Sequence, residues 1–276
     1  MCRWLAYYGK PIRMDKVIFQ GEYSLIDQSL KSRLGAEPTN GDGFGIGWYS
    51  AAGDPGIFRS TEPAWNNRNL REIAGHVESN LFFAHIRATT GTPVQETNCH
   101  PFHYGKWLWM HNGLIGDWLT LKRDLVLQVA PALYPLIEGT TDSEVLFYLA
   151  LTFGLEEDPI GAVERAIGFV EATAERHGIE QAVQMTLGFS DGDRVWGVRY
   201  STAHSSRSLF VSGDVSALKK LHPGNPRLQR LSDADQAIVS EPPGDLPGAW
   251  LEVPESTVLV MQTGAREQFP FRPQPS

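Results

Sequence analysis

Cysteine is scarce in this chain: Cys2 and Cys99 are the two thiols among 276 residues. Two cysteines build no disulfide framework, and the zinc spacings C-x-x-C and H-x-x-x-H are both absent. No metal site and no cofactor are therefore expected. Basic runs are also missing. Lys219-Lys220 is the one adjacent lysine pair and the net charge is −8, which argues against a nucleic-acid binder, because neutralising phosphates takes clustered Lys and Arg. Nothing approaches the roughly 20 apolar residues that span a bilayer. The opening Met-Cys-Arg-Trp-Leu-Ala-Tyr-Tyr-Gly-Lys lacks the apolar run of a signal peptide. A soluble protein of the reducing cytoplasm, with no membrane partner, is the expectation. No Pro/Ser/Gly-rich linker divides the chain either.

What remains is an ordinary globular balance, with 42% apolar and 20% charged residues. Residues 2–8 read as a strand. Asn40-Gly-Asp-Gly-Phe-Gly-Ile-Gly-Trp-Tyr49 reads as a turn entering a strand. Its glycines do not make a dinucleotide site: counted from Gly41, Gly43 or Gly45, the last glycine of G-x-G-x-x-G is replaced by Ile46, Trp48 or Ser50. Glycines at alternate positions instead leave one strand face bare for close backbone approach. Helices are predicted over 66–77, 142–153 and 159–176, the second capped by Thr141 or Asp142 and burying Val145, Leu146, Leu149 and Phe153. Strands are predicted over 81–87 and 107–111, then near 183–189, 194–200, 208–212, 236–240 and 257–262. Strands at both ends and helices in the middle suggest one α+β domain over 1–276, with sheets covered by helices. From Pro270 onward, three prolines in seven residues suggest a loose tail.

Several segments hold residues that can carry chemistry. Cysteine is small, so removal of Met1 by methionine aminopeptidase is expected. Cys2 then bears both a thiol and an α-amine, whose ordinary pKa values near 8.5 and 7.7–8.0 let the amine take the thiol proton. The plainer alternative is a buried cysteine in a first strand. In His85-Ile-Arg-Ala-Thr-Thr-Gly91, Arg87 offers a planar fork for a carboxylate or simply a surface ion pair. His100, in Asn98-Cys-His-Pro-Phe102, is held extended by the following proline and is equally readable as a core histidine. In His111-Asn-Gly-Leu-Ile115, Asn-Gly is either a hairpin turn or an oxyanion hole made from the Asn112 amide and the Gly113 N–H. Thr140-Thr-Asp-Ser-Glu144 is a helix start in which Asp142 complements the dipole, faces a substrate ammonium, or does both. Trp196, Phe210 and Trp250 read as core or interface rather than a cofactor platform.

Taken in order, these segments resemble the glutaminase domain of class II glutamine amidotransferases, which are N-terminal-nucleophile hydrolases. Met-Cys, Asn-Gly-Asp-Gly-Phe-Gly-Ile, His-Ile-Arg-x-x-Thr, Asn-x-His-Pro-Phe, His-Asn-Gly-Leu-Ile and Thr-Asp-Ser-Glu span roughly residues 2–145, with weaker similarity at Ser240-Glu-Pro242. The resemblance implies a four-layer αββα sandwich of two antiparallel sheets. It implies Cys2 as nucleophile, Asn112 and Gly113 as oxyanion hole, Arg87 with Thr89 and Thr90 for the substrate α-carboxylate, and Asp142 for the α-ammonium. His100 matches a position beside the site. Two departures stand out: Ala88 occupies a position that is often Trp, and Gly91 or Thr92 replaces a common His. Both imply a more open pocket rim.

No synthase domain follows, which points to the small stand-alone branch that includes the γ-glutamyl hydrolase of ergothioneine biosynthesis. The expected reaction is cleavage of the γ-amide of glutamine or another γ-glutamyl small molecule through a Cys2 thioester. A glutaminase passing ammonia to a separate synthase partner, and a non-catalytic amino-acid-binding module, remain alternatives.

Overall fold

The computed structural model describes residues 2–34, 39–51, 53–89 and 91–274. The chain begins β1 (Arg3–Arg13), α1 (Asp15–Ile18), α2 (Leu25–Leu30), β2 (Phe44–Trp48), β3 (Gly56–Ser60), α3 (Arg68–His76) and β4 (Glu78–Ile86). It continues with β5 (Phe102–Tyr104), β6 (Trp107–Ile115), α4 (Trp118–Gln128), α5 (Asp142–Thr152), α6 (Pro159–Arg176), β7 (Val183–Ser190) and β8 (Val195–Ser201). It ends with β9 (Phe210–Ser212), α7 (Val215–Leu221), α8 (Pro226–Arg230), β10 (Gln236–Val239), β11 (Trp250–Glu252), β12 (Thr257–Gln262) and β13 (Ala265–Pro270). Two antiparallel sheets form, ordered β11-β9-β10-β1-β4-β2-β3 and β13-β12-β8-β7-β6-β5.

Side-chain alternation along these strands builds three apolar layers. On β1, Leu5 and Tyr7 pack outward with Phe82 of β4 and with Ile18, Leu25 and Leu70 of α1–α3. Trp4, Ala6 and Tyr8 point the other way, between the sheets, against Phe83, Leu108, Met110 and Leu259. On the far side of the second sheet, Trp107, Trp109 and Phe189 pack under Leu146, Leu149, Ile167 and Val170 of α5 and α6. Phe189 and Trp196 stack with centroids 5.0 Å apart, an aromatic contact worth about 0.5–1.5 kcal/mol beyond its buried area. The result is the αββα sandwich, with β1 buried on both faces along its first half.

Three departures from the sequence reading have physical causes. The strand expected over 107–111 runs on to Ile115, so Asn112-Gly113 is extended backbone and makes no hairpin turn. Its partner β7 pairs with it as far as Ile115↔Val183. Helix α4 was not foreseen: its leucines lie all round the helix, with Leu121 and Leu125 buried while Leu119 and Leu127 are exposed. The segment expected to be loose from residue 270 is docked as far as 274. Phe271 is buried, and the Arg272 N–H and Gln274 side-chain amide both reach the Glu164 carboxylate on α6, at 2.7 and 3.2 Å. A carboxylate that satisfies these donors offsets the cost of ordering a proline-rich segment.

Candidate active site

Cys2 lies one residue before β1. The β1–β4 register begins at Arg3↔Ile86, and one step further sets Cys2 opposite Arg87. Trp4 reaches across to the second sheet, its indole N–H donating to Thr186 at 3.2 Å. Cys2, two residues earlier, shares that inter-sheet face. Its sulfur accepts from the Ala88 N–H at 3.4 Å and lies 3.5 Å from the Ala88 carbonyl. Burial pushes the thiol up from its ordinary range, against the pull of the Ala88 N–H and of the Arg87 and Arg3 charges.

Arg87 is buried, and its guanidinium is held by oxygen acceptors alone: Thr92 Oγ1 at 2.6 Å, the Pro93 carbonyl at 3.1 Å, and Thr89 Oγ1 and the Asp42 carbonyl at 3.3 Å. No ion pair forms on it among the described residues. The Asp42 carboxylate takes the Thr89 N–H at 2.8 Å, and the Arg87 N–H donates to the Gly43 carbonyl at 2.9 Å, so the 40–43 turn is pinned beneath the arginine. Gly43 has φ +110°, and a Cβ there would meet the Cys99 sulfur and the Ser60 carbonyl at 2.7 Å. A buried cation so arranged is shaped for an anionic visitor. Thr90, paired with Thr89 in the sequence reading, lies outside the described residues.

Asn112 comes from the second sheet. Its Nδ2 donates to the Cys2 carbonyl at 2.9 Å, leaving one amide hydrogen to point elsewhere. Antiparallel strands alternate bonded and non-bonded pairs. The Gly116 N–H bonds the Ala182 carbonyl of the strand opposite, while the Ile115 N–H turns away and donates to Asp142 Oδ2 at 2.8 Å. Gly113, two residues before Ile115, turns its N–H the same way. Its donor and the Asp142 carboxylate therefore sit along one strand edge about 7 Å apart. Glycine is required at 113: a Cβ would run into the Gln184 carbonyl and lie 2.8 Å from the His111 ring.

Asp142 Oδ1 accepts from the Ser143 N–H at 2.7 Å and its hydroxyl at 3.1 Å. With that proton committed, the Ser143 hydroxyl must accept from His111 Nδ1, 2.7 Å away. His111 is thus the Nδ1–H tautomer, and its Nε2 faces Gly113 without a partner. Burial lowers the His111 pKa and keeps the ring neutral.

His100 is placed behind these groups. Its ring packs on His85 and Phe102 at centroid distances of 4.3 and 4.5 Å, and no hydrogen bond joins it to Cys2, Arg87 or Asn112 among the described residues. His85 faces the inter-sheet layer two residues before Arg87. Burial and the Arg87 charge drop its pKa to about 3. His100 is pushed well below the imidazole range by burial and by His85.

The structure adds residues that the sequence reading left without a role. Asn98 ties the Arg87 loop to the start of α5, donating to the Pro93 carbonyl at 2.9 Å and accepting the Thr140 N–H at 2.8 Å. Asn98, Asp42 and Ser143 all stand inside the motifs already noted, which was the available signal. Arg207, in the β8–β9 connection, stands in no motif. A groove of about 490 Å³ opens beside the Arg87 loop, between Gly91–Pro93 and Thr140 on one side and Asp117–Thr120 on the other. No group of three His, Cys, Asp or Glu side chains among the described residues is placed to hold a metal ion, and no described helix is long and apolar enough to cross a membrane.

The chain is similar in sequence and fold to known proteins. The family model "Glutamine amidotransferases class-II" matches residues 22–265. The chain is 34% identical to a probable glutamine amidotransferase, DUG3, of Saccharomyces cerevisiae, over 95% of this chain and 82% of that one. It is 28% identical to a γ-glutamyl-hercynylcysteine sulfoxide hydrolase of Mycolicibacterium smegmatis, over 78% and 87%. Among solved structures, a glutamine aminotransferase class-II domain protein from Silicibacter pomeroyi superposes with a TM-score of 0.75 at 32% identity, covering 99% of this chain and 100% of that one. The glutamine phosphoribosylpyrophosphate amidotransferase of B. subtilis superposes at 0.65 over 99% of this chain and 50% of its own; at 14% identity it shares the fold. By fold, by sequence and by its match over residues 22–265, the chain belongs to the class II glutamine amidotransferases, enzymes built on the N-terminal-nucleophile hydrolase sandwich.

Proposed function

We propose that this enzyme hydrolyses the γ-amide of glutamine or of a γ-glutamyl compound through a thioester on Cys2. The observation that carries this reading is the Asn112–Cys2 bond, which sets Cys2 against the strand that holds Gly113 and whose Ile115 N–H reaches Asp142. Arg87 lies opposite Cys2 across β4, Asn112 bonds its carbonyl at 2.9 Å, and the Gly113 N–H and Asp142 line one edge of β6. These groups match the parts of a glutamyl substrate. Arg87 takes the α-carboxylate and Asp142 the α-ammonium. The γ-carbonyl then lies over the Cys2 sulfur, with its oxygen toward Asn112 and Gly113.

Removal of Met1 frees the Cys2 amine. Since burial holds the thiol up, few thiolates exist in advance, and the amine must take the proton as the sulfur attacks. The C–S bond forms, and the oxyanion is stabilised by the two donors, each worth about 2.7–4 kcal/mol of barrier in comparable sites. The ammonium returns its proton to the leaving nitrogen, and the C–N bond breaks. Water then loses a proton to the amine and adds to the thioester. The C–S bond breaks, the sulfur is reprotonated, and glutamate leaves.

The test pairs intact mass with turnover. Protein lacking Met1 should release glutamate from a panel of γ-glutamyl amides, and an electrophilic glutamine analogue should label Cys2. Cys2→Ala should lose both. Activity retained in that variant overturns the scheme. Glutamate binding with no adduct on Cys2 points instead to a non-catalytic amino-acid-binding module. Glutamine cleaved far better than every substituted amide favours ammonia supply to a separate synthase.

A further inference from the structure

Arg207 has no hydrogen bond or ion pair on its guanidinium among the described residues, although its Nε is sealed from solvent. A half-buried cation without acceptors is costly unless something else satisfies it. The carboxylates nearby make no bond to it, although the buried Glu255 Oε1 also lacks a partner. Glu241 takes Arg3 Nε, the Arg33 N–H at 2.9 Å and the Leu34 N–H at 3.3 Å; Glu255 accepts the Ser206 N–H at 3.2 Å and lies 3.7 Å from Arg199 Nε. The charges that Arg207 feels are those of Arg3 and Cys2, and burial is the largest influence lowering its pKa.

Strand register explains why it feels Cys2. Leu5 pairs with Val239, and the Ser240 N–H bonds the Trp4 carbonyl at 3.0 Å. Val239 pairs in turn with Phe210, and the Ser208 hydroxyl donates to the Ser240 carbonyl at 2.9 Å. Carried outward, these registers set Arg87, Cys2, Pro242 and Arg207 in one row across the end of the first sheet. Cys2 is thus flanked by two arginines: Arg87 one strand away, about 5 Å, and Arg207 two strands away on the opposite side, about 10 Å.

We propose that Arg207 forms the leaving-group side of the cleft and binds a carboxylate carried by the departing amine. The enzyme would then select γ-glutamyl derivatives of amino acids or peptides over glutamine. This rests on the reading given under Proposed function. With the glutamyl head held on the Arg87 side and the γ-carbonyl on Cys2, the departing nitrogen must point toward Arg207. An α-amino acid places its carboxylate two bonds beyond that nitrogen. A guanidinium fork is the group that recognises a carboxylate with two parallel bonds.

The test compares γ-glutamylalanine with γ-glutamylethylamide, which has the same leaving group without the carboxylate. Enzyme lacking Met1 should prefer the alanine compound in kcat/KM by on the order of 10- to 100-fold, the worth of a charge-assisted bond. In Arg207→Gln that ratio should fall to within about threefold of unity, and Arg207→Lys, which keeps charge without the fork, should lie between. Both compounds cleaved at equal efficiency by the unaltered enzyme would overturn the assignment and leave the amidase reading intact. An equal loss on both compounds in Arg207→Gln, with the ratio preserved, would also overturn it. If neither compound nor glutamine is cleaved, the amidase reading itself fails and this inference goes with it. Should Arg207→Gln not fold, the unaltered ratio and the Lys variant decide.

Discussion

The Asn112 side-chain amide donates to the Cys2 carbonyl at 2.9 Å, and that bond joins the second sheet to the residue at the head of the first. One side chain thereby fixes the position of Cys2 and keeps a second N–H, which the proposed function gives to an oxyanion. In Asn112→Ala both are lost. The expected outcome is a fall in kcat of about 10²- to 10³-fold, with a smaller change in KM and about 1 kcal/mol of lost stability. Steady-state kinetics and urea unfolding measure the two effects separately. An unchanged kcat would remove Asn112 from the oxyanion site.

Arg87 makes its bonds through a planar fork seated on Thr92, Thr89 and two carbonyls. Lysine keeps the charge and loses that seating. Arg87→Lys should lower kcat/KM by on the order of 10²-fold, mostly through KM, because under the proposed function the interaction lost is with the substrate head in both ground and transition states. A kcat effect at constant KM would place Arg87 at the reacting carbonyl instead.

Gly113→Ala puts a methyl group against the Gln184 carbonyl of the neighbouring strand and the buried His111 ring. Overpacking of this kind costs about 1–3 kcal/mol. The unfolding midpoint should drop accordingly, and activity should fall further than stability, since the strand edge carrying the Gly113 N–H must shift. Wild-type stability in this variant would show that the β6–β7 pairing yields more than its geometry suggests.

His85 is buried neutral, with a pKa of about 3 against 6.5 in the unfolded chain. Between those values the unfolded state binds a proton that the folded state refuses. Its contribution to stability is therefore intact above pH 6.5 and is lost as the pH falls toward 3. Unfolding free energy measured between pH 6 and 4 should fall with decreasing pH. His85→Gln should flatten that slope by up to about 1.4 kcal/mol per pH unit. A slope unaltered by the substitution would mean that His85 takes up its proton equally in the folded and unfolded states.

Much of this was legible beforehand because the residues concerned are bound by local rules. Thr141 caps α5 by accepting the Glu144 N–H, and Pro159 to Arg176 reads as a helix and is one. Cys2, Arg87, Asn112, Gly113 and Asp142, the residues of the proposed site, stand in motifs whose order is readable in the sequence. Legibility failed where the deciding interaction was long-range. Asn112-Gly113 reads as a hairpin by composition, but its pairing with Thr186 and Met185 on β7 keeps it extended. The docked tail depends on Glu164, more than a hundred residues away. Arg207 is set beside the site by registers running through β10 and β9, and nothing adjacent to it in sequence signals that place.

Gly45 and Gly47 leave one face of β2 bare. A Cβ at 45 would strike the His100 carbonyl, and one at 47 would lie 2.8 Å from the Pro101 ring. The 100–101 segment is therefore moulded to an absence of side chains, and neither surface is free to drift alone. Across related enzymes, positions 45, 47, 100 and 101 should covary as a single evolutionary unit. A lineage that acquired alanine at either glycine would carry a rebuilt Asn-Cys-His-Pro segment alongside it.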